Sequence, residues 1–368
     1  MKVAYFIGAL SRGGAETLML DICKQHKNVP YDFVCMYRHE GNMLEAFKES
    51  GVPMIHIPKK RGYLRYLWII RRTMRQENVT IVHSQTPSNS LLLAFALIGT
   101  RIKIITTFHG HMFANDSWWK RKMVFAASEK IICVSEYQKH HYEQKWGLPK
   151  DNKLRVVYNG IDFAKFDSAK SIVDSGELRV KSGVRLCMVG NFIKGRSQVV
   201  VCEALRELSV KCKVEGVKWD FYFIGRRDEA EPWRYDECVK YCEAYQLKNV
   251  HFLGGREDVP ELLKTMDGFV YSTEHDTFGI AVIEAIAAGV PVIVNDWDVI
   301  MEITNHGEWA TIYPTGDAAQ LAETMKQLIE HPVGYMKKAK EYAKQVRRKY
   351  SIENHIERLS AMYDKVNS

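Results

Sequence analysis

Ser272 to Val294 reads STEHDTFGIAVIEAIAAGVPVIV: a strand end, a polar loop, a glycine that opens a helix, and a carboxylate, Glu284, one to two turns along it. A helix N-terminus carries roughly half a positive charge and several unpaired amides, so the backbone N–H groups of Phe278, Gly279 and Ile280 can hold phosphate oxygens. Gly279 lets a ligand approach closely. Glu284 would project from the same helix, where a carboxylate can accept hydrogen bonds from the two vicinal hydroxyls of a ribose. The residue types fit a nucleotide diphosphate. They also fit a capped amphipathic helix with an exposed Glu, and the remainder of the chain has to decide between the two.

A chain of 368 residues, 46% apolar and 26% charged, has material for two cores, and two domains are the expectation. No uninterrupted apolar run approaches the ~20 residues of a membrane span; Gly279 to Val294 is broken by Glu284, Gly289 and Pro291. VAYFIGAL near the N-terminus has the look of a short secretory apolar region, but SRGGAET behind it offers no small-residue cleavage site, so it reads as a first buried strand. Eight cysteines lie scattered without CxxC pairs, which points to a reduced cytoplasmic chain and not to a disulfide framework. Cys238 and Cys242 share a helix face, with no third ligand expected nearby.

Short β-branched strands alternate with helical patterns throughout, the signature of parallel sheets covered by helices. One series falls near residues 3–8, 32–37, 54–57, 80–83, 103–107, 130–134 and 155–158; a second near 184–189, 220–224, 250–253, 268–272, 291–294 and 311–313. The polar stretch from Phe166 to Ser182 suits an exposed linker. Two doubly wound domains with a cleft between them follow, residues 1–165 and 183–345.

Charge divides along the same boundary. Residues 1–165 hold 25 Lys plus Arg against 13 Asp plus Glu, whereas residues 166–336 hold 18 against 27. The basic half should therefore face an acidic partner. KKRGYLRYLWIIRRTMR, Lys59 to Arg75, interleaves cations with Tyr63, Tyr66, Leu67, Trp68 and Ile70, and WWKRKM follows at Trp118. Such segments suit an anionic membrane surface, or a helix whose aromatics pack inward. Nucleic acid is not expected, since no motif for it accompanies the charge.

SRGGAET after the first strand, TTFHGH at Thr106, CVSEYQ at Cys133, VYNGID at Val157, VGNF at Val189 and VHFLG at Val250 occur in order with the opening segment. Together they resemble the retaining nucleotide-sugar glycosyltransferases of family 4, over nearly the whole chain. The resemblance implies an α/β GT-B fold of two facing Rossmann-like domains with a deep interdomain cleft. The donor, a UDP- or GDP-sugar, would be held by the C-terminal domain, and a glycan or lipid-linked acceptor mainly by the N-terminal one. A C-terminal helix at about 350–368 would return to the first domain. No cofactor or metal is expected, and the cysteine usage and the basic aromatic segments point to a cytoplasmic enzyme, peripheral on the inner face of the membrane.

Carried over residue by residue, Gly13 and Gly14 would approach the donor phosphates or sugar, His109 would sit beside the transferred sugar, and Glu284 would hold the ribose. VGNFIKGRSQ departs from the family's Lys-Gly spacing: ungapped alignment puts Arg196 at the lysine position, Asn191 where many members have Arg, and Lys194 becomes the binder if the loop is two residues shorter. Arg196 is favoured, because a guanidinium binds two phosphate oxygens and stays charged. Asp276 stands at the first of the family's paired carboxylates, one methylene short, and Thr277 replaces the glycine that follows. FIGRRD, Phe223 to Asp228, keeps Gly225 and lacks the second glycine of the family's Gly-x-Gly turn. Asp296 and Asp298 spell Asp-x-Asp, but directly after a strand Asp298 is expected to cap a helix. Retention without an enzymic carboxylate pair implies front-side attack, with the departing phosphate oxygen taking the acceptor proton. A nucleotide-sugar 2-epimerase and a non-catalytic nucleotide-sugar binding protein share this architecture.

Overall fold

The structure, a computed structural model, describes residues 1–11, 13–58, 62–110, 117–145, 153–168, 183–215 and 218–367. It divides into two compact units, Met1–Asp162 with Tyr350–Ser368, and Phe163–Lys349. Residues 169–182 of the expected linker, Lys59 to Arg61 and His111 lie outside the described residues, and Ala164–Ser168 is a short helix of the second unit.

The first unit holds strands β1 (Lys2–Ala9), β2 (Asp32–His39), β3 (Met54–His56), β4 (Ile81–Ser84), β5 (Lys103–Phe108), β6 (Ser128–Cys133) and β7 (Leu154–Val156) in one parallel sheet ordered β3-β2-β1-β4-β5-β6-β7. The second holds β8 (Val184–Val189), β9 (Trp219–Ile224), β10 (Val250–Phe252), β11 (Gly268–Tyr271), β12 (Val292–Asn295) and β13 (Thr311–Tyr313), ordered β10-β9-β8-β11-β12-β13. Each sheet reverses its winding once, at β1/β4 and at β8/β11, and in open parallel sheets ligands bind at the strand carboxyl ends of that reversal.

The strand β1 shows why its sequence is apolar without alternation. Val3, Tyr5 and Ile7 enter one core, while Ala4 and Phe6 enter a second on the opposite face. A parallel strand covered by helices on both sides buries every residue.

The helix Ile352–Asn367 closes the first of these cores with Ile352, Ile356, Leu359, Tyr363 and Val366, spaced by three and four along one face. Its approach needs Gly160 of VYNGID, where a Cβ would lie 2.9 Å from Ile352 Cα and 2.6 Å from His355 Cβ. Beneath it runs a satisfied polar chain: His83 bonds Tyr363 through Nδ1 and Thr107 through Nε2, each at 2.6 Å, and the Tyr363 hydroxyl donates to Tyr5 at 3.1 Å. Desolvation pushes His83 well below its ordinary pKa, so it is neutral there.

One cysteine expectation is corrected. Cys242 Sγ lies 3.9 Å from Cys202 Sγ, because the helix Gln198–Glu215 packs beside the helix Trp233–Ala244. A third thiol is present where none was expected, yet among the described residues no group of three or more His, Cys, Asp or Glu is placed to hold a metal.

Candidate functional site

In the second unit two loops leave the reversal point, one after β8 and one after β11, and they are stitched together. Arg196 and Thr273 form an antiparallel bridge; the Thr273 hydroxyl and the Glu274 amide both donate to the Gly195 carbonyl, at 2.8 and 2.9 Å. Gly195 has φ +86°, and a Cβ there would meet His275 Cβ at 2.4 Å, so glycine is required.

This stitching delivers the Arg196 side chain to the end of β11. Its guanidinium pairs with the Asp276 carboxylate and lies 4.9 Å from the centre of the Tyr271 ring. Tyr271 donates its hydroxyl to the same Asp276 oxygen at 2.6 Å, and the other oxygen accepts the Thr277 amide at 2.8 Å. Asp276 is 9% exposed, so its charge is held almost wholly by these partners.

The loop then turns into the helix Ile280–Ala287 through Gly279, left-handed at φ +88° and ψ +52°. A Cβ here would touch Ile303 Cδ1 at 2.9 Å and Ile300 Cδ1 at 3.0 Å. Buried Phe278 anchors the turn, and its amide leans on Asp276 at 3.4 Å. The first helical acceptor is the Gly279 carbonyl, which takes the Val282 and Ile283 amides; the amides of Ile280 and Ala281 come before Val282 and have no intrahelical acceptor. Glu284, half-buried, stands one turn further along the helix.

Arg196, Asp276, Thr277, Phe278, Gly279, Ile280 and Glu284 are thus brought together. Two of the other residues named from sequence have a different local duty. Asn191 accepts the Arg226 amide at 3.0 Å and ties the β8 and β9 loop ends, while the Lys194 amide donates to Glu231 at 2.8 Å and its side chain is exposed. In FIGRRD, Gly225 is essential, since a Cβ would meet the Gly190 carbonyl at 2.0 Å; Arg227, at the missing glycine, pairs with Asp236 through two 2.7 Å bonds.

Gly13, Gly14 and His109 belong to the first unit. Gly13, extended at φ −154°, precedes the helix Gly14–Lys24, and Glu16 Oε2 lies 2.6 Å from where its Cβ would be. His109 follows β5 and bonds Gln85 Oε1 through Nε2 at 2.9 Å. Desolvation, reinforced by His355, lowers its pKa to about 4, so it is a neutral hydrogen-bonding group at pH 7.

Sequence reasoning missed Tyr271, Asn295 and Gln85, the partner of His109. Asn295 ends β12 and holds Thr273 by two bonds of 3.0 and 2.8 Å. The available signal was a polar or hydroxylated residue closing an apolar strand, as in FVYS and VIVN. The expectation for Asp298 is corrected: Trp297 is the N-cap of the helix Asp298–Ile303, and Asp298 is its first residue, with no side-chain cap. Asp296 accepts the amide and hydroxyl of Thr315 at 2.8 and 2.7 Å, which lowers its pKa.

With this geometry in hand, comparison with known proteins defines the class. Residues 12–165 match the model of Glycosyltransferase Family 4, and residues 175–347 that of Glycosyl transferases group 1. A phosphatidyl-myo-inositol mannosyltransferase of Mycobacterium leprae is 30% identical over 72% of this chain and 68% of its own length. The capsular polysaccharide biosynthesis glycosyltransferase CapM of Staphylococcus aureus is 27% identical over 84% of each chain. A crystal structure of Anabaena HepE in complex with UDP aligns with TM-score 0.85 at 18% identity, covering 99% of this chain and 100% of that one. The chain belongs to glycosyltransferase family 4: it is a transferase enzyme, and its two Rossmann-like sheets are those of the GT-B fold.

Proposed function

We propose that the chain transfers a sugar from a UDP- or GDP-sugar to a glycan or lipid-linked acceptor, with retention of anomeric configuration and without a divalent metal. The observation that carries this reading is the Arg196, Asp276 and Tyr271 constellation at the β8/β11 reversal, with a helix N-terminus and Glu284 directly behind it. A guanidinium has five N–H donors in a fixed fork. Asp276 engages one edge and Tyr271 lies against the plane. Another edge can then meet diphosphate oxygens, with Asp276 acting as the brace that aims it.

The protein's part in catalysis is orientation and electrostatics. Arg196 and the amides before Val282 oppose the charge that develops on the leaving diphosphate, and these fixed dipoles cost no reorganisation as the bond breaks. Neutral His109 offers a hydrogen bond to a sugar hydroxyl and not a charge. The names of the relatives support this substrate class: one structural neighbour was solved with UDP, one relative is a mannosyltransferase of phosphatidyl-myo-inositol, and another serves capsular polysaccharide biosynthesis.

Placement on the inner face of a membrane, as a cytoplasmic peripheral enzyme with no nucleic-acid partner, is part of the same proposal. Within the basic segment the helix Tyr63–Gln76 buries Tyr66, Ile70 and Met74 but exposes Tyr63, Leu64 and Trp68, and Trp118 and Trp119 are exposed on the helix Trp118–Ala127. Lys122 lies 4.8 Å from the Trp118 ring centre. Exposed tryptophans beside cations suit a headgroup layer. Among the described residues no helix is long and apolar enough to cross a membrane.

A thermal-shift screen of UDP, GDP, ADP and their sugars identifies the donor, since a ligand of the native state raises the midpoint. With that donor and an acceptor, transfer is expected to continue undiminished in EDTA. Activity abolished by EDTA and restored by Mn²⁺ or Mg²⁺ would overturn the metal-free mechanism.

A further inference from the structure

At the β1/β4 reversal of the first unit, two buried side-chain amides present N–H groups without an acceptor, beside an arginine. Gln85, 4% exposed, accepts from His109 on Oε1 in the tautomer that carries its proton on Nε2, and the Gln85 Nε2 then has no partner. Asn89, 1% exposed, takes Arg38 on Oδ1 at 3.0 Å, and its Nδ2 has no partner. The Arg38 donor fixes that amide's orientation, because the flipped form would set N–H against N–H. Arg38 itself is half-buried at the end of β2, bonded to the Tyr66 hydroxyl at 3.0 Å, and among the described residues no carboxylate pairs with it. Gln85 and Asn89 flank the N-cap Thr86 of the ten-residue helix Pro87–Ala96, whose N-terminus adds roughly half a positive charge. Asn89 Nδ2 lies 3.6 Å from where a Cβ of Gly8 would stand, so this amide packs beside the carboxyl end of β1.

Buried N–H groups are almost always satisfied, and an orphaned pair beside a guanidinium with no carboxylate is an arrangement that an oxyanion completes. Resting on the transferase reading above, we propose that this cluster is an acceptor subsite, and that it takes a phosphoryl oxyanion of the acceptor through Arg38, Gln85 Nε2 and Asn89 Nδ2. The anion accepts from all three and needs no proton transfer. The hydroxyl to be glycosylated would then belong to a molecule that carries its own phosphate, either a soluble sugar phosphate or a phospholipid headgroup.

The test follows the side-chain amide resonances of Gln85 and Asn89 in the full-length protein, assigned by their loss in Gln85→Glu and Asn89→Asp, during titration with inorganic phosphate. Both signals should move together and saturate. In Arg38→Met the phosphate needed for half the shift should rise at least about tenfold, as expected for losing a charged partner. Gln85→Glu keeps the oxygen that meets His109 and replaces the donor by a charge, so the Asn89 signal should stop responding although the fold is retained. Signals that do not move, or that move equally in Arg38→Met, would overturn the subsite and mark any bound phosphate as adventitious. Vesicles distinguish the sources: competition by phosphatidylglycerol vesicles supports a lipid headgroup, and its absence supports a soluble phosphate. UDP affinity measured on the same Arg38→Met sample should equal wild type, so failure of the subsite and failure of nucleotide binding read out separately.

Discussion

The two sheet reversals of this molecule are topologically alike and electrostatically opposite. At β8/β11 the cation is already occupied: Arg196 is locked to Asp276, which is itself held by Tyr271 and the Thr277 amide. At β1/β4 the donors stand without acceptors, with Gln85 Nε2 and Asn89 Nδ2 both buried and unpartnered. The first arrangement is preorganised for the diphosphate proposed above, since a braced guanidinium would lose little freedom on binding it. The second carries an uncompensated desolvation cost of about 1–3 kcal/mol per group, which a ligand can offset. A rigid grip suits a substrate that recurs in every cycle of such an enzyme, and an unsatisfied cluster suits selection of a partner that completes it.

The sharpest contrast between the two regions is expected from Glu284→Ala. If Glu284 holds the ribose, nucleotide affinity should fall at least tenfold, since bonds to a charged acceptor contribute about 1.5–3 kcal/mol each. Calorimetry that finds unchanged affinity would remove Glu284 from the site. Next in size is Gly279→Ala. The left-handed turn at φ +88° and the 2.9 Å approach to Ile303 together should cost about 1–3 kcal/mol of stability, seen as a lowered melting midpoint of the second unit. A midpoint within error of wild type would show that the turn can relax.

A smaller effect belongs to the first unit and depends on pH. His355 is buried against the Tyr158 carbonyl, and desolvation lowers its pKa from 6.5 to about 4. The unfolded chain therefore binds a proton that the folded chain refuses across that window. The stability it protects is complete above pH 6.5 and is lost as pH falls towards 4. His109 acts in the same direction. Melting midpoints should drop over this range, and His355→Gln, which cannot titrate, should flatten the drop; an unchanged slope would assign it elsewhere.

Much of the scaffold was legible in the sequence, for a physical reason. Strands such as VAYFIGA and GFVY are buried on both faces, so they stand out as continuous apolar runs, and each expected strand lies within two residues of the observed one. Gly279 was named too, for close approach of a ligand, whereas in the structure a left-handed turn at φ +88° is what requires glycine there. What the sequence could not show was pairing across distance. Arg196 and Asp276 were each named, but for separate tasks; their ion pair depends on the Arg196–Thr273 bridge between two loops. Gln85 and Asn89 sit in QTPSN, which has the composition of an ordinary polar turn and helix cap, and only their burial beside Arg38 sets them apart. Cys202 and Trp297 were missed likewise, one reached through helix packing and the other through a shift of one residue at a helix start.

The central claim is that the second unit grips a diphosphate through Arg196. It is tested most directly by calorimetric titration of wild type, Arg196→Ala and Lys194→Ala with the nucleoside diphosphate identified by the screen and with its bare nucleoside. The account predicts that Arg196→Ala weakens the diphosphate at least about tenfold while changing the nucleoside little, because only the former presents the charge, and that Lys194→Ala, at an exposed loop position, changes neither substantially. Loss of diphosphate affinity in Lys194→Ala with Arg196→Ala unaffected would contradict it.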